Sequence, residues 1–248
     1  HAVSQDPVRA ALAGQLRTLG QGGRVRSLYP YATSSHFLQN NYLALFLPPA
    51  KTSGELFYDL KRTANFTPSS FCVPLTRNFL DILQNETVTS TTVRVLERGG
   101  YRSVLQTAMR MSWGQTTLRE TRTFELIADT PYLGVTIEDQ MQGPTTALGH
   151  VLGGDGFDQL LVDGQAVQGA QSLAVPTVAL LRDTSGLKPD LAVLFLETPA
   201  GSTLAWQPGQ SLAVNRPQAQ RLRLALVVPT DLYAQNQLAG LGQFLSQP

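Results

Sequence analysis

The chain has 248 residues, 42% of them hydrophobic, and a formal net charge of +1. That length and composition suit one folded domain with a sizeable core and exclude a disordered chain. The near-neutral charge gives no electrostatic reason to expect nucleic acid or an anionic membrane as partner, and no apolar run reaches the roughly 18–20 residues of a helical bilayer span.

Arginine outnumbers lysine 16 to 3, a skew that reads as the mark of a GC-rich genome rather than of a binding surface. The single cysteine, Cys72, excludes an internal disulfide and any Cys-based metal cluster, and its apolar neighbours point to a buried small side chain. The sequence starts His1-Ala2-Val3. It reads as a processed mature form, a tag remnant or a piece of something longer, with an extracellular or periplasmic location favoured over a cytoplasmic one.

In chain order, residues 1–20 predict a helix: Asp6 as cap, Pro7 in the first turn, Val8, Leu12, Leu16 and Leu19 on one face, and Gly20 at the end. Strands are expected at Arg24–Tyr29, Tyr42–Leu47 and Gly54–Leu60, and a short helix over Leu75, Phe79, Ile82 and Leu83. Further strands are expected at Thr177–Leu181, Asp190–Glu197, Thr203–Trp206, Gln210–Val214 and Arg221–Val228. A closing helix follows over 230–248, apolar at Ala234, Leu238, Leu241 and Leu245. No repeat or linker divides the chain, so residues 1–248 read as a single β-sandwich domain, mainly antiparallel, with a few short helices.

The middle of the chain can be paired residue by residue. Gly99-Gly100 and Gly114-Gln115 are two-residue hairpin signals, and 129–132 suits a four-residue turn. Closing hairpins there pairs Leu105 with Phe124, Met111 with Leu118, Phe124 with Ile137 and Leu126 with Val135, which gathers the apolar residues on one face. The same face carries Glu120, Arg122 and Asp139, with Arg122 opposite Asp139. They form either a structural ion pair closing the core, the favoured reading, or a site with shifted pKa values. Tyr101, Trp113 and Phe124 also fall on this face. The other face carries Gln106, Arg110, Arg119, Thr121, Thr123, Glu125, Thr136 and Glu138, with Glu97 opposite Arg102 at the first hairpin. It is either a solvated surface or, through Gln106, Arg110, Arg119, Thr123, Glu125 and Glu138, a glycan-binding one.

Two stretches suggest metals. Gly153-Gly-Asp155-Gly-Phe-Asp158-Gln-Leu160 matches one unit of a calcium-binding β-roll. Those rolls need tandem copies, so a turn, short strand and hairpin at Asp163-Gly164 is preferred over calcium on Asp155 and Asp158. An N-terminal His1, helped by His36 or His150, could brace copper, although a processing remnant explains His1 more simply. Trp206 reads as a core or turn residue.

Val93-Arg-Val-Leu-Glu-Arg-Gly-Gly-Tyr-Arg-Ser-Val-Leu105 and Arg122-Thr-Phe-Glu-Leu-Ile-Ala-Asp-Thr-Pro-Tyr-Leu-Gly-Val-Thr-Ile-Glu138 together resemble the β-supersandwich, or galactose-mutarotase-like, domain of polysaccharide lyases and glycoside hydrolases. The opening Gly22-Gly-Arg-Val-Arg-Ser-Leu28 is similar to how such domains begin. The resemblance implies an antiparallel supersandwich, usually beside a separate catalytic domain, and an oligo- or polysaccharide ligand. The catalytic His and carboxylates of mutarotases proper have no counterpart in a matching stretch. The leading functional expectation is therefore an accessory or substrate-binding domain of a polysaccharide-active hydrolase or lyase. A non-catalytic structural or homo-oligomeric assembly protein of the envelope is the alternative, and a copper oxidase acting on polysaccharide comes third.

Overall fold

A computed structural model describes residues 26–28, 36–40, 42–47, 52–59, 72–84, 86–128 and 130–229, with Leu238, Gly240 and Leu241; for 26–28, 36, 37, 59 and 72 it describes the backbone alone. The strands are β1 (Arg26–Leu28), β2 (His36–Gln39), β3 (Leu43–Leu47), β4 (Gly54–Asp59), β5 (Cys72–Phe79), β6 (Thr87–Arg98), β7 (Arg102–Trp113), β8 (Thr116–Ile127), β9 (Tyr132–Gln142), β10 (Leu148–Gly153), β11 (Gln159–Val162), β12 (Gln165–Ala166), β13 (Gln171–Ala174), β14 (Val178–Arg182), β15 (Leu191–Glu197), β16 (Thr203–Gln207), β17 (Ser211–Arg216) and β18 (Leu222–Val227). The expected N-terminal helix lies outside the described residues. Of the C-terminal one, Leu238, Gly240 and Leu241 are helical.

One layer is a nine-stranded sheet in the order β12-β11-β14-β15-β18-β9-β8-β7-β6. The other joins the sheet β1-β2-β3-β4-β5 to the sheet β10-β17-β16-β13. The junction is a bridge between Ile82 and His150 and backbone bonds from Leu80 N to Val151 O and from Val151 N to Asp81 O. Every strand pair is antiparallel. Leu45, Leu56 and Phe79 from one layer, Leu105, Phe124, Ile137 and Leu224 from the other, and Leu204 and Val214 share one continuous apolar core. The fold is an all-β antiparallel supersandwich, as expected.

The alternation read in the sequence governs the central strands. In β8 every even residue from Thr116 to Leu126 is buried and every odd one is exposed or half-buried. Leu105 pairs with Phe124 and Met111 with Leu118, and Gly114-Gln115 closes the turn. Gly114 sits at φ 54° with open space where a Cβ would be. Gly114→Ala therefore introduces strain without a clash, and a loss of about 1 kcal/mol in denaturant melts is the expected result.

The next hairpin differs from expectation by two residues. Phe124 pairs with Val135 and Leu126 with Leu133, so Arg122 stands opposite Ile137 and Asp139 opposite Glu120. An even slip keeps every side chain on its expected face. The tighter turn is set from outside: Asn40 Nδ2 donates to Ile127 O (2.6 Å) and Thr130 O (2.7 Å), and Tyr132 is held in register with Val227 of β18.

At the first hairpin, a bulge between Val95 and Glu97 puts Glu97 opposite Val104 instead of Arg102 and leaves Leu96 exposed. Arg102 still binds Glu97 diagonally, and Glu125 at 2.8 Å. Tyr101, expected on the apolar face, is 73% exposed at this hairpin's tip.

The expected helix over Leu75–Leu83 is also corrected: Leu75 and Phe79 belong to strand β5. Two bulges against β4 place extra residues on β5, with Gly54 opposite Phe79, Leu56 opposite Thr76 and Phe57 opposite Pro74. Those insertions bury Leu75, Thr76 and Phe79 while exposing Arg77 and Asn78, and so imitate helical spacing.

The outer face of the nine-stranded sheet is divided. Over β14, β15 and β18, Leu180, Ala192, Leu194, Ala225 and Val227 are covered by Leu238, with Leu241 packed alongside. Over β6–β9 the face is polar and open.

Candidate binding groove and the buried ion network

The open half of the sheet forms a groove of about 600 Å³. Its floor follows from register. One cross-strand row runs Ser90, Arg110, Arg119, Gln140, and the next runs Thr92, Ala108, Thr121, Glu138. Ala108 is the smallest side chain on this face of β7 and stands between Gln106 and Arg110, so the second row is sunken. A second cavity of about 350 Å³ adjoins it, sharing Arg110, Arg119 and Gln140 and reaching Thr89, Thr117 and Gln142.

Of the residues expected to bind a glycan, Arg110, Arg119 and Glu138 line this groove. Gln106 and Thr123 lie one row further along, joined by a 3.4 Å hydrogen bond from Gln106 Nε2 to Thr123 Oγ1. Glu125 is engaged by Arg102. Ser90 and Thr92 escaped the sequence reading because the register of β6 depends on its bulges, whereas Gln140 follows by parity from Thr136 and Glu138. The aromatic residues are elsewhere: Phe124 and Trp206 are in the core, and Trp113 is half-buried against the Met109–Met111 cluster.

On the opposite side of the same strands, Glu120, Arg122 and Asp139 meet two residues the sequence reading did not connect with them, His150 and Arg216. Arg122 Nε donates to Glu120 Oε1, and its two Nη groups donate to the backbone carbonyls of Thr52 and of Leu80, the latter at 2.8 Å. Glu120 Oε2 lies 2.7 Å from His150 Nε2, and His150 Nδ1 lies 3.1 Å from Arg216 Nη2. An arginine can only donate, so Nδ1 is the acceptor and His150 is the neutral tautomer with its proton on Nε2, donated to Glu120. Arg216 Nη2 also stands 2.6 Å from Asp139 Oδ2, but at an angle too poor for a hydrogen bond, so both Asp139 oxygens lack a protein donor when ionised. All five side chains are at most 1% exposed.

Their charge states follow from these contacts. Burial alone would raise Glu120, but the Arg122 guanidinium and the hydrogen bond from His150 overcome it and hold the carboxyl well below the usual range. Asp139 is pushed up to about 8, by burial first and the facing Glu120 second, against the pull of Arg216. It carries a proton at neutral pH and faces the Glu120 carboxylate across β8 and β9. Burial takes His150 down to about 4, outweighing the attraction of Glu120.

The network closes the core rather than facing solvent. Arg122 and Asp139 do not form the direct pair that the sequence register implied; each takes a different partner. Parity could have revealed the missing members, since His150 alternates with Leu148 and Leu152, and Arg216 with Leu212 and Val214.

The expected metal positions are otherwise occupied. Asp155 Oδ2 accepts from Arg77 N at 3.0 Å, and Asp158 accepts from Thr184 N at 2.9 Å and from its hydroxyl, so both carboxylates brace turns. The preferred hairpin is present, with Asp163 and Gly164 at φ 49° and 82° between β11 and β12. No three His, Cys, Asp or Glu side chains converge as a metal site among the described residues. Both ring nitrogens of His150 are engaged, which removes it as a copper ligand; His1 and the side chain of His36 lie outside the described residues.

No family model and no curated protein matches this sequence. Among solved structures, the crystal structure of a "putative aldose 1-epimerase" from Klebsiella pneumoniae subsp. pneumoniae superposes over 94% of this chain and 90% of that one, with a TM-score of 0.54 and 10% identity. At that identity the likeness is one of architecture, and it agrees with the two facing antiparallel layers described above: the chain has the galactose-mutarotase-like fold.

Proposed function

We propose that this chain is a carbohydrate-binding supersandwich domain, the accessory or substrate-holding part of a polysaccharide-active hydrolase or lyase, with the glycan seated in the groove over β6–β9. The observation that carries this reading is the groove itself. It is a depression of about 600 Å³ on a galactose-mutarotase-like fold, lined by hydroxyl, amide, carboxylate and guanidinium groups that suit a polyhydroxylated ligand. The groove has no aromatic platform among the residues that line it, so affinity rests on hydrogen bonds and is modest.

A glycan array followed by affinity electrophoresis tests this. Retardation by at least one oligo- or polysaccharide is expected, with roughly tenfold or greater weakening in the double variant Thr121→Val/Gln140→Ala, which removes two polar groups from adjacent rows without touching the core. Failure to bind any glycan, or unchanged affinity in the double variant, would sink the proposal.

A second reading, an assembly protein, draws on β6, a 12-residue edge strand of the nine-stranded sheet with Leu96 54% exposed. Bulges near both ends of β6 interrupt its outer edge, a device that disfavours strand-to-strand pairing of copies. Light scattering separates the two, because the assembly reading requires a concentration-dependent oligomer.

A further inference from the structure

The geometry points to an oxyanion-binding subsite in this groove, made by Arg110 and Arg119, for a carboxylate, sulfate or phosphate group carried on the ligand. The inference rests on the groove being a glycan site and adds the chemical class of what it holds. Arg110 and Arg119 are direct cross-strand partners, both are exposed, and neither makes an ion pair or side-chain hydrogen bond among the described residues. Like charges directly opposite one another on a sheet face destabilise it, so this juxtaposition has a cost that an incoming anion would relieve.

The surroundings reinforce the imbalance. Arg94 lies on the same face, placed there by pairing with Gln106, and makes no ion pair among the described residues; Arg223, opposite Thr136 on one side, has Glu197 opposite it on the other. The carboxylates of this face are already spent. Glu125 is held by Arg102, and Glu138 lies 3.9 Å from Arg221. A chain whose formal net charge is only +1 thus concentrates an uncompensated surplus of guanidiniums at one groove. Their planar forks match a carboxylate or a tetrahedral oxyanion by paired hydrogen bonds, while Thr92 and Thr121 in the next row are left for sugar hydroxyls.

Isothermal titration with three oligosaccharides of matched length tests the subsite: polygalacturonate (carboxylate), carrageenan (sulfate, no carboxylate) and neutral galactan. Each is titrated at low and at physiological ionic strength. At least one acidic ligand should bind tenfold or more tighter than galactan, the preference should shrink as salt rises, and added inorganic sulfate should compete better than chloride at equal ionic strength. Arg110→Gln/Arg119→Gln should abolish the preference, bringing the acidic ligands down to the affinity that the same variant shows for galactan. Arg110→Lys/Arg119→Lys, which keeps the charge but not the fork, should retain a reduced, salt-sensitive preference. Equal binding of acidic and neutral ligands, or an acidic preference that survives the Gln double variant, overturns the subsite while leaving the glycan groove standing. Binding of none of the three at either salt overturns the subsite, and the glycan array then decides the groove.

Discussion

Glu120→Ala is expected to cost about 3–5 kcal/mol of unfolding free energy, the range seen when one member of a buried ion pair is removed. Glu120 is the shared acceptor of the network, taking Arg122 Nε on one oxygen and His150 Nε2 on the other, with its side chain fully buried. Its removal leaves the Arg122 guanidinium with only the two backbone carbonyls of Thr52 and Leu80 as partners and no counter-charge. It also leaves the His150 N–H unpaired. Desolvating these groups was balanced by the carboxylate; without it the penalty stands uncompensated. Chemical denaturation reads the loss directly. Glu120→Gln keeps the shape and one acceptor and should lose less. A loss below about 1 kcal/mol for Glu120→Ala would mean that the network is open to water, since that is the worth of an exposed pair.

The second large effect is on pH. Asp139, raised to about 8 in the folded protein, makes a contribution that is fully present below its unfolded value and is lost as pH rises through 8, because the unfolded chain releases that proton first. His150, lowered to about 4, works the other way: its contribution is present above the unfolded value near 6.5 and is lost as pH falls through 4. Glu120, also lowered, contributes above the ordinary carboxylate range and loses this on acidification.

Between about pH 4 and 6.5 the Asp139 and His150 slopes oppose and cancel. Above 6.5 only Asp139 remains, and stability contributed by the network falls toward pH 8 by about 1.4 kcal/mol per pH unit, the slope of one proton. Below about 4, Glu120 brings an acid decline. Urea melts across this range should show a plateau with a fall on both sides. Asp139→Asn, which keeps a neutral side chain of nearly the same shape, should remove the alkaline fall and, with the His150 slope no longer cancelled, start the acid fall near pH 6.5. An alkaline fall that persists in Asp139→Asn would place the titrating group elsewhere.

Much of the architecture was legible because period-two alternation is a local property. The face of every residue in β7, β8 and β9 follows from parity alone. Parity survived even though the β8–β9 register was off by two, since the pleat returns each side chain to the same side. Gly114-Gln115 and Asp163-Gly164 were legible as turns because Gly114, Asp163 and Gly164 take positive φ values that favour those residue types.

What the sequence by itself determined, then, was the fold class, the hairpins and the two-faced meander with charged residues facing inward. Tertiary structure decided the rest. The β8–β9 turn was chosen by Asn40, 87 residues from its acceptor Ile127. The bulges of β5 were dictated by β4 and disguised a strand as a helix. Arg122 reaches the backbone carbonyls of Thr52 and Leu80, and Asp139 meets Arg216 of β17, only when the two layers close. Leu238 and Leu241 pack on the apolar half of the outer face, and the groove lies on the other half, over β6–β9. Each of these is a contact between residues distant along the chain, and their energies depend on burial and charge proximity in three dimensions, which spacing along the sequence does not encode.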